Sequence, residues 1–336
     1  MLNVTLYTRK NCKLCDEVKA ELNELQSKYP HRLVEVDIDT DSILIEKFRQ
    51  IIPVIEVGPY SLKAPISRQN LQMTLGAASD RKNQLEQVGD PEYKMKVKKG
   101  MNVTTGDRVS FWIARRYLLL LNLFMLLYVG LPFLAPTLMK IGAELPAKAI
   151  YRIYSPLCHQ FGFRSFFLYG EQSFYPLAEA KIAGVKTFEQ ETGIPNLGDP
   201  YSYTRYEARA YTGDETTGYK MALCERDVAI YFAILIFGVV FGLTGRRIKS
   251  VHWVLWILLG ILPIGLDGFS QLFSQFNWTW LSVAIPYRES TPYFRVLTGA
   301  LFGLMTAWFA YPNVEESMND TRQYYIKKFA VNQPSQ

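Results

Sequence analysis

Apolar residues fall along this chain in two regimes. Up to residue 78 they alternate with polar residues over short distances; beyond residue 116 they gather into long stretches with little charge. In the first regime, Val4-Thr5-Leu6-Tyr7 predicts a strand, and Val18, Leu22 and Leu25 recur at helical spacing behind Cys12. Residues 33–38 read as a second strand, 41–50 as a second helix, 51–57 as a strand entered through Pro53, and 67–77 as a closing helix. The predicted order is β-α-β-α-β-(β)-α, an α/β domain over residues 1–78. In the second regime four stretches, near 117–139, 227–244, 251–269 and 294–311, are long and apolar enough to cross a bilayer. Pro263, Gly265 and Asp267 lie in the third and could end it early. Aromatic residues near many of the ends argue against four soluble core helices.

This divides the chain into an α/β domain at 1–78, a basic juxtamembrane linker at 79–116, and an all-α membrane domain of about four transmembrane helices at 117–312. A tail follows at 313–336, and the membrane domain carries a long outer loop at 140–226. Within that loop, 170–220 looks like an insertion, rich in tyrosine (Tyr201, Tyr203, Tyr206, Tyr211, Tyr219) and read as a surface loop before a partner-docking lid.

The formal charge of +6 is unevenly spread. Lys94, Lys96, Lys98, Lys99 and Arg115-Arg116 place much of it beside the first span, where anionic lipid headgroups are the expected partner. No nucleic-acid motif accompanies it, so nucleic acid is not an expected partner. Asn3, Thr5, Arg9 and Lys10 interrupt any apolar leader segment, which places the amino terminus in the cytoplasm. The compact loop holding Arg246, Arg247 and Lys249, together with Arg115-Arg116 and Lys327-Lys328, orients both termini inside.

Four cysteines are too few for a disulfide scaffold. Cys12-Lys13-Leu14-Cys15 opens a predicted helix beside a β-α-β pattern, the setting of a redox-active dithiol. The helix amino terminus stabilises a thiolate, so Cys12 is the expected nucleophile and Cys15 the resolving cysteine. Lys10 and Lys13 add to that effect.

The predicted topology brings a second group to the outer face. It comprises Cys158, His159 and Arg164 from the loop, Cys224, Arg226 and Asp227 before the second span, Asp267 and Gln271 at the end of the third, and Arg295 at the start of the fourth. An acidic residue inside an apolar span is a functional candidate, and Arg226, Arg295 or a bound ion are expected partners for Asp267. Two chemistries fit. Cys158, His159, Cys224 and Asp227 could ligate zinc or iron, since thiolate, imidazole and carboxylate suit such ions. Alternatively Cys158 and Cys224 form a structural disulfide or an exchanging dithiol. Disulfide exchange needs direct sulfur contact and the hydrocarbon core is about 30 Å thick, so the two cysteine pairs are expected to act separately.

Residues 7–16 (Tyr7-Thr8-Arg9-Lys10-Asn11-Cys12-Lys13-Leu14-Cys15-Asp16) with Ile52-Pro53-Val54 resemble the glutaredoxin-like branch of the thioredoxin superfamily over about 75 residues. The resemblance implies a thioredoxin-like fold and a cis Pro53 lying against the cysteines as part of the active site. Glutaredoxins bind glutathione partly through a Gly-Gly-x-Asp turn. Here the chain reads Gly58-Pro59-Tyr60-Ser61-Leu62-Lys63-Ala64-Pro65, so glutathione is not an expected cofactor.

Residues 151–312 resemble a family of small bacterial polytopic membrane proteins of unknown function. The matching residues are Cys158-His159-Gln160, Arg164-Ser165-Phe166, Cys224-x-Arg226, Asp267-Gly268 with Gln271, and Arg295-x-x-Thr298-Gly299. That family often carries a second cysteine where Asp227 stands, which favours a mixed ligand set. It implies a bacterial cytoplasmic membrane protein and brings no activity. The leading expectation is a membrane-anchored thiol–disulfide oxidoreductase or redox sensor serving cytoplasmic dithiol proteins. A metal-binding, transport-related protein with a regulatory redox domain, or a structural subunit of a membrane complex, are the other readings.

Overall fold

The computed structural model describes residues 1–89, 91–92, 94–95, 100, 102–276 and 287–332. Lys96, Lys98 and Lys99 of the expected basic cluster lie outside the described residues, as does Gln336. The chain divides into two units, one made of residues 1–116 and 316–336, the other of residues 117–315.

The first unit is built on a four-stranded sheet of β1 (Leu2–Thr8), β2 (His31–Asp37), β3 (Val54–Val57) and β4 (Tyr60–Lys63), in the order β2-β1-β3-β4. β1 runs parallel to β2 and antiparallel to β3. With the flanking helices α1 (Lys13–Leu25), α2 (Ser42–Phe48) and α3 (Arg68–Val88), this is the thioredoxin-like arrangement. Side chains alternate across a strand, so Val4 and Leu6 enter a core with Val18, Leu22, Leu25, Leu71 and Leu75 on one face. Tyr7 meets Val36, Ile38, Leu44, Phe48 and Val54 on the other. Burying each such leucine contributes about 1.5–3 kcal/mol. Ile326 and Ala330, from the end of the chain's last helix, pack on this second cluster. Lys327 forms an ion pair with Glu56 there. α3 continues past residue 77 to Val88 and closes on Gly89, whose φ of +72° suits a left-handed cap. The first part of the expected linker is therefore helical.

Among the described residues, the second unit contains four helices long and apolar enough to cross a membrane: α4 (Thr105–Lys140), α8 (Glu225–Leu243), α9 (Trp253–Ser274) and α10 (Pro292–Asn332), the first and last continuing into the other unit. Their outward positions are large and apolar, Leu119, Phe124, Phe232 and Leu266 among them, as lipid-facing surfaces are. α9 does not end early at Pro263. A wide π turn over Trp256–Ile261 precedes the proline, which enters the following turns at a first-turn position that needs no N–H partner. α8 and α10 pack closely because Gly299 and Gly303 present bare backbone. A Cβ at Gly299 would stand 2.7 Å from the Arg226 carbonyl oxygen, and one at Gly303 would overlap that of Ile230.

The spans are helical, as expected, but the segment joining the first two adds structure of its own. α5 (Glu144–Tyr154), α6 (Phe188–Thr192) and α7 (Thr204–Ala210) accompany an antiparallel sheet of β5 (Ser165–Leu168), β6 (Gly213–Asp214) and β7 (Gly218–Cys224), ordered β5-β7-β6. The surface-loop reading of 170–220 is corrected here. Phe163, Phe167, Tyr175, Leu177, Phe188, Leu197 and Ala208 form a buried cluster, which gives the insertion a core. Tyr201, Tyr203 and Tyr206 are exposed, whereas Tyr211 packs edge-on against Phe188.

Candidate functional site

In the first unit Cys12 sits at the N-cap of α1, and Asn11 before it adopts φ +62°, which turns the chain from strand into helix. The Cys15 amide donates to Cys12 Sγ at 3.3 Å and to the Cys12 carbonyl oxygen at 3.0 Å. Cys12 and Cys15 are joined as a disulfide. Cys15 is 1% exposed, whereas Cys12 is partly accessible and is flanked by exposed Lys10, Lys13 and Leu14. The first cysteine is thus partly accessible at the positive end of a helix and the second is buried. The Ile52–Pro53 peptide is cis and Pro53 is buried, the isomer that the resemblance implies.

In the second unit, Cys158 follows α5 in a turn closed by its own amide, which donates to the Tyr154 carbonyl oxygen at 3.0 Å. Gln160, at φ +53°, fixes that turn. Its side-chain amide donates to the carbonyl oxygens of Tyr151 (2.9 Å) and Ala222 (3.0 Å), tying α5 to β7. Lys220 returns the link through its ammonium to the carbonyls of Gln160 (2.8 Å) and Arg209 (2.7 Å). These clamps set Cys158 beside Cys224, the last residue of β7 and the N-cap of α8. Asp227, three residues on, lies on the first turn of the same helix. One donor atom from each of Cys158, Cys224 and Asp227 lies within 4.8 Å of the others.

Both cysteines are free thiols. Their mutual hydrogen bond holds the Cys158 thiol below its ordinary pKa, against the opposing effect of burial. The same bond, followed by burial, pushes Cys224 well up. Lys220 is brought down to about 7 by desolvation, an effect that the neighbouring Cys158 partly offsets.

His159 is exposed and stacks on Phe161 at 5.7 Å, outside the three-donor group. A cavity of about 280 Å³ nevertheless gathers most of the residues expected at the outer face. Cys158, His159, Arg164, Cys224, Arg226, Asp227, Gln271 and Arg295 all line it.

Asp267 is paired with Arg226 at 2.5 Å and with Arg288 at 2.6 Å, and accepts from Ser290 at 2.9 and 2.7 Å. Arg295, expected as one of its partners, binds Glu225 at 3.1 Å and Glu289 instead. Arg164 holds Glu289 through two hydrogen bonds, of 2.8 and 3.0 Å. Arg288, Glu289 and Ser290 are not among the residues to which the sequence pointed. These three form a polar run just ahead of the last span, which was the available signal.

Residues 3–76 match the family model described as a Glutaredoxin-like domain (DUF836). Residues 215–309 match Predicted membrane protein (DUF2085). Among curated proteins, Uncharacterized protein MJ1492 of Methanocaldococcus jannaschii is 22% identical over 205 residues, 58% of this chain and 90% of that protein. No solved structure matches. The chain joins a glutaredoxin-like domain carrying a redox-type cysteine pair to a predicted membrane domain.

Proposed function

We propose that this fusion of a glutaredoxin-like domain with a membrane domain is a membrane-anchored thiol–disulfide oxidoreductase acting on cytoplasmic protein disulfides through Cys12 and Cys15. The observation that carries it is the unequal exposure of the two cysteines at the amino terminus of α1: Cys12 partly accessible, Cys15 buried. In the reduced domain the Cys12 thiolate attacks a substrate disulfide. A mixed disulfide forms and the first substrate thiolate leaves. The Cys15 thiolate then attacks the Cys12 sulfur, which releases the second substrate thiolate and closes the Cys12–Cys15 disulfide. Two electrons have passed to the substrate, and a dithiol reductant must restore the pair.

The chain offers no Gly-Gly-x-Asp turn at Gly58-Pro59-Tyr60, so a protein dithiol is the favoured reductant over glutathione. The basic turn at Arg246-Arg247 and the position of Arg115-Arg116 favour a cytoplasmic location for this domain, in a bacterial inner membrane.

The test uses the full-length protein in detergent with a disulfide-bonded protein substrate and a dithiol reductant. Cys12→Ser should abolish turnover. Cys15→Ser should accumulate a mixed disulfide that a non-reducing gel resolves. Turnover unchanged in Cys12→Ser would refute the assignment.

A further inference from the structure

We propose that Cys158, Cys224 and Asp227 hold a divalent cation of borderline softness, zinc foremost, in an open three-ligand site whose fourth position faces the cavity and takes water or a small anion. This site lies in the second unit and is independent of the reading given for Cys12 and Cys15.

The donor set comes first. Two thiolates and a carboxylate suit zinc in preference to magnesium or calcium. Tetrahedral zinc with bonds of about 2.0–2.3 Å keeps its donors about 3.3–3.8 Å apart. The donors here already lie within 4.8 Å of one another, so small side-chain rotations close the shell. Cys224 and Asp227 project from the N-cap and first turn of one helix, a spacing that turns both side chains toward the same point. Cys158 is delivered from the other side by the Gln160 and Lys220 clamps. His159 is stacked on Phe161, which leaves three protein ligands and one exchangeable position, the pattern of zinc sites that bind a fourth ligand from solution.

Charge balance agrees. Arg164, Arg226 and Arg295 line the same cavity as the three donors, and the Lys220 ammonium reaches the Gln160 carbonyl two residues from Cys158. Ionising both thiols alone would set two further negative charges beside Asp227 in a largely enclosed setting, which is expensive. A divalent cation admitted with two thiolates adds no net charge.

The second observation is Gln271. It is 7% exposed and lines the cavity, yet its side-chain Nε2 donates to nothing among the described residues. A buried amide N–H without an acceptor costs about 1–3 kcal/mol. An oxygen or anion at the open position would supply that acceptor. Arg226 Nε, likewise without a partner among the described residues, offers a further donor at the cavity wall.

The experiment uses the full-length chain in detergent with Cys12→Ser and Cys15→Ser already present, so that the first unit contributes no thiol. The protein is stripped with a chelator and titrated with Co²⁺, and zinc affinity is then read by competition. The expected result is one equivalent of cobalt with thiolate-to-metal charge-transfer absorption. Cys158→Ser or Cys224→Ser should weaken binding at least about a hundredfold, and Asp227→Asn about tenfold or more. His159→Ala should leave affinity unchanged within about twofold, because no first-ligand role is removed. Azide should shift the visible cobalt bands. Gln271→Leu should keep the charge-transfer band and weaken the azide response about tenfold.

If the cysteine variants misfold, alkylation of the parent protein answers the same question. Protection of both thiols by Zn²⁺ supports the site, and equal alkylation with and without Zn²⁺ overturns it. Cobalt failing to bind, cobalt binding without charge-transfer absorption, His159→Ala losing as much affinity as Cys158→Ser, or no azide response would each overturn the proposal.

Discussion

Arg295 and Glu225 meet at 3.1 Å across a separation of 70 residues, and their side chains are only 4% and 1% exposed. The same guanidinium also binds Glu289, which Arg164 grips from the other side. The start of α10 is thereby joined to the start of α8, next to Cys224. Removing one partner of a buried pair leaves a charge without compensation and costs about 3–5 kcal/mol. Arg295→Met is expected to lower the unfolding free energy of the detergent-solubilised protein by that amount. Adding Glu225→Gln should recover part of the loss. Arg295→Met with unaltered stability would show that the pair is dispensable.

The close approach of α8 and α10 rests on glycine. Gly303→Ala drives a methyl group into the Ile230 carbonyl and should destabilise the membrane domain by about 1–3 kcal/mol. Gly265→Ala is the control, because its Cβ would meet only Phe269, at 3.9 Å. Thermal unfolding of the two variants side by side checks the contrast. Equal midpoints would mean that the helices can separate without penalty.

Lys220 gives the fold a dependence on alkaline pH. Its folded pKa, about 7, lies below the ordinary lysine value. Between those two values the unfolded chain holds a proton that the folded chain has released. Stability from this residue therefore rises with pH through that window, at up to about 1.4 kcal/mol per unit. Below about pH 7 both states are protonated and the contribution is flat. Lys220→Met should lack this rise. Chemical unfolding of wild type and variant at pH 7, 8 and 9 gives the slope difference, and parallel curves would remove Lys220 as the cause.

The proposed orientation has a direct readout. Tyr203 is 85% exposed on the folded insertion. A cysteine placed there, in a background lacking the native four, should react with a membrane-impermeant maleimide added to intact cells. A reporter fused after Gln336 should be active only in the cytoplasm. Protection of position 203, or an external reporter, would invert the assignment.

Much of this architecture is legible in the amino-acid sequence. Alternation at Val4 and Leu6 and helical spacing at Val18, Leu22 and Leu25 identify the α/β domain, because which face of an element is buried depends on nearby spacing. The four spans were legible for a related reason: a lipid-facing helix must be apolar along its length. The Cys12–Cys15 pair declared itself by position at a helix start.

Partner choice was not legible, because it depends on which desolvated groups the packed helices bring within reach. Asp267 takes Arg226 and Arg288, and Arg295 goes to Glu225 and Glu289. Nothing in the local spacing separates those alternatives. The core of the insertion was hidden for the same reason, since Phe163, Tyr175 and Leu197 meet only when distant turns close on one another. Residue types and local periodicity alone determined the α/β domain, the four spans and the placement of Cys12 and Cys15 at a helix start. Only the tertiary structure could decide that Cys158 and Cys224 share their corner with Asp227 while His159 stacks on Phe161, because side-chain proximity across 66 residues is set by the Gln160 and Lys220 clamps on β7.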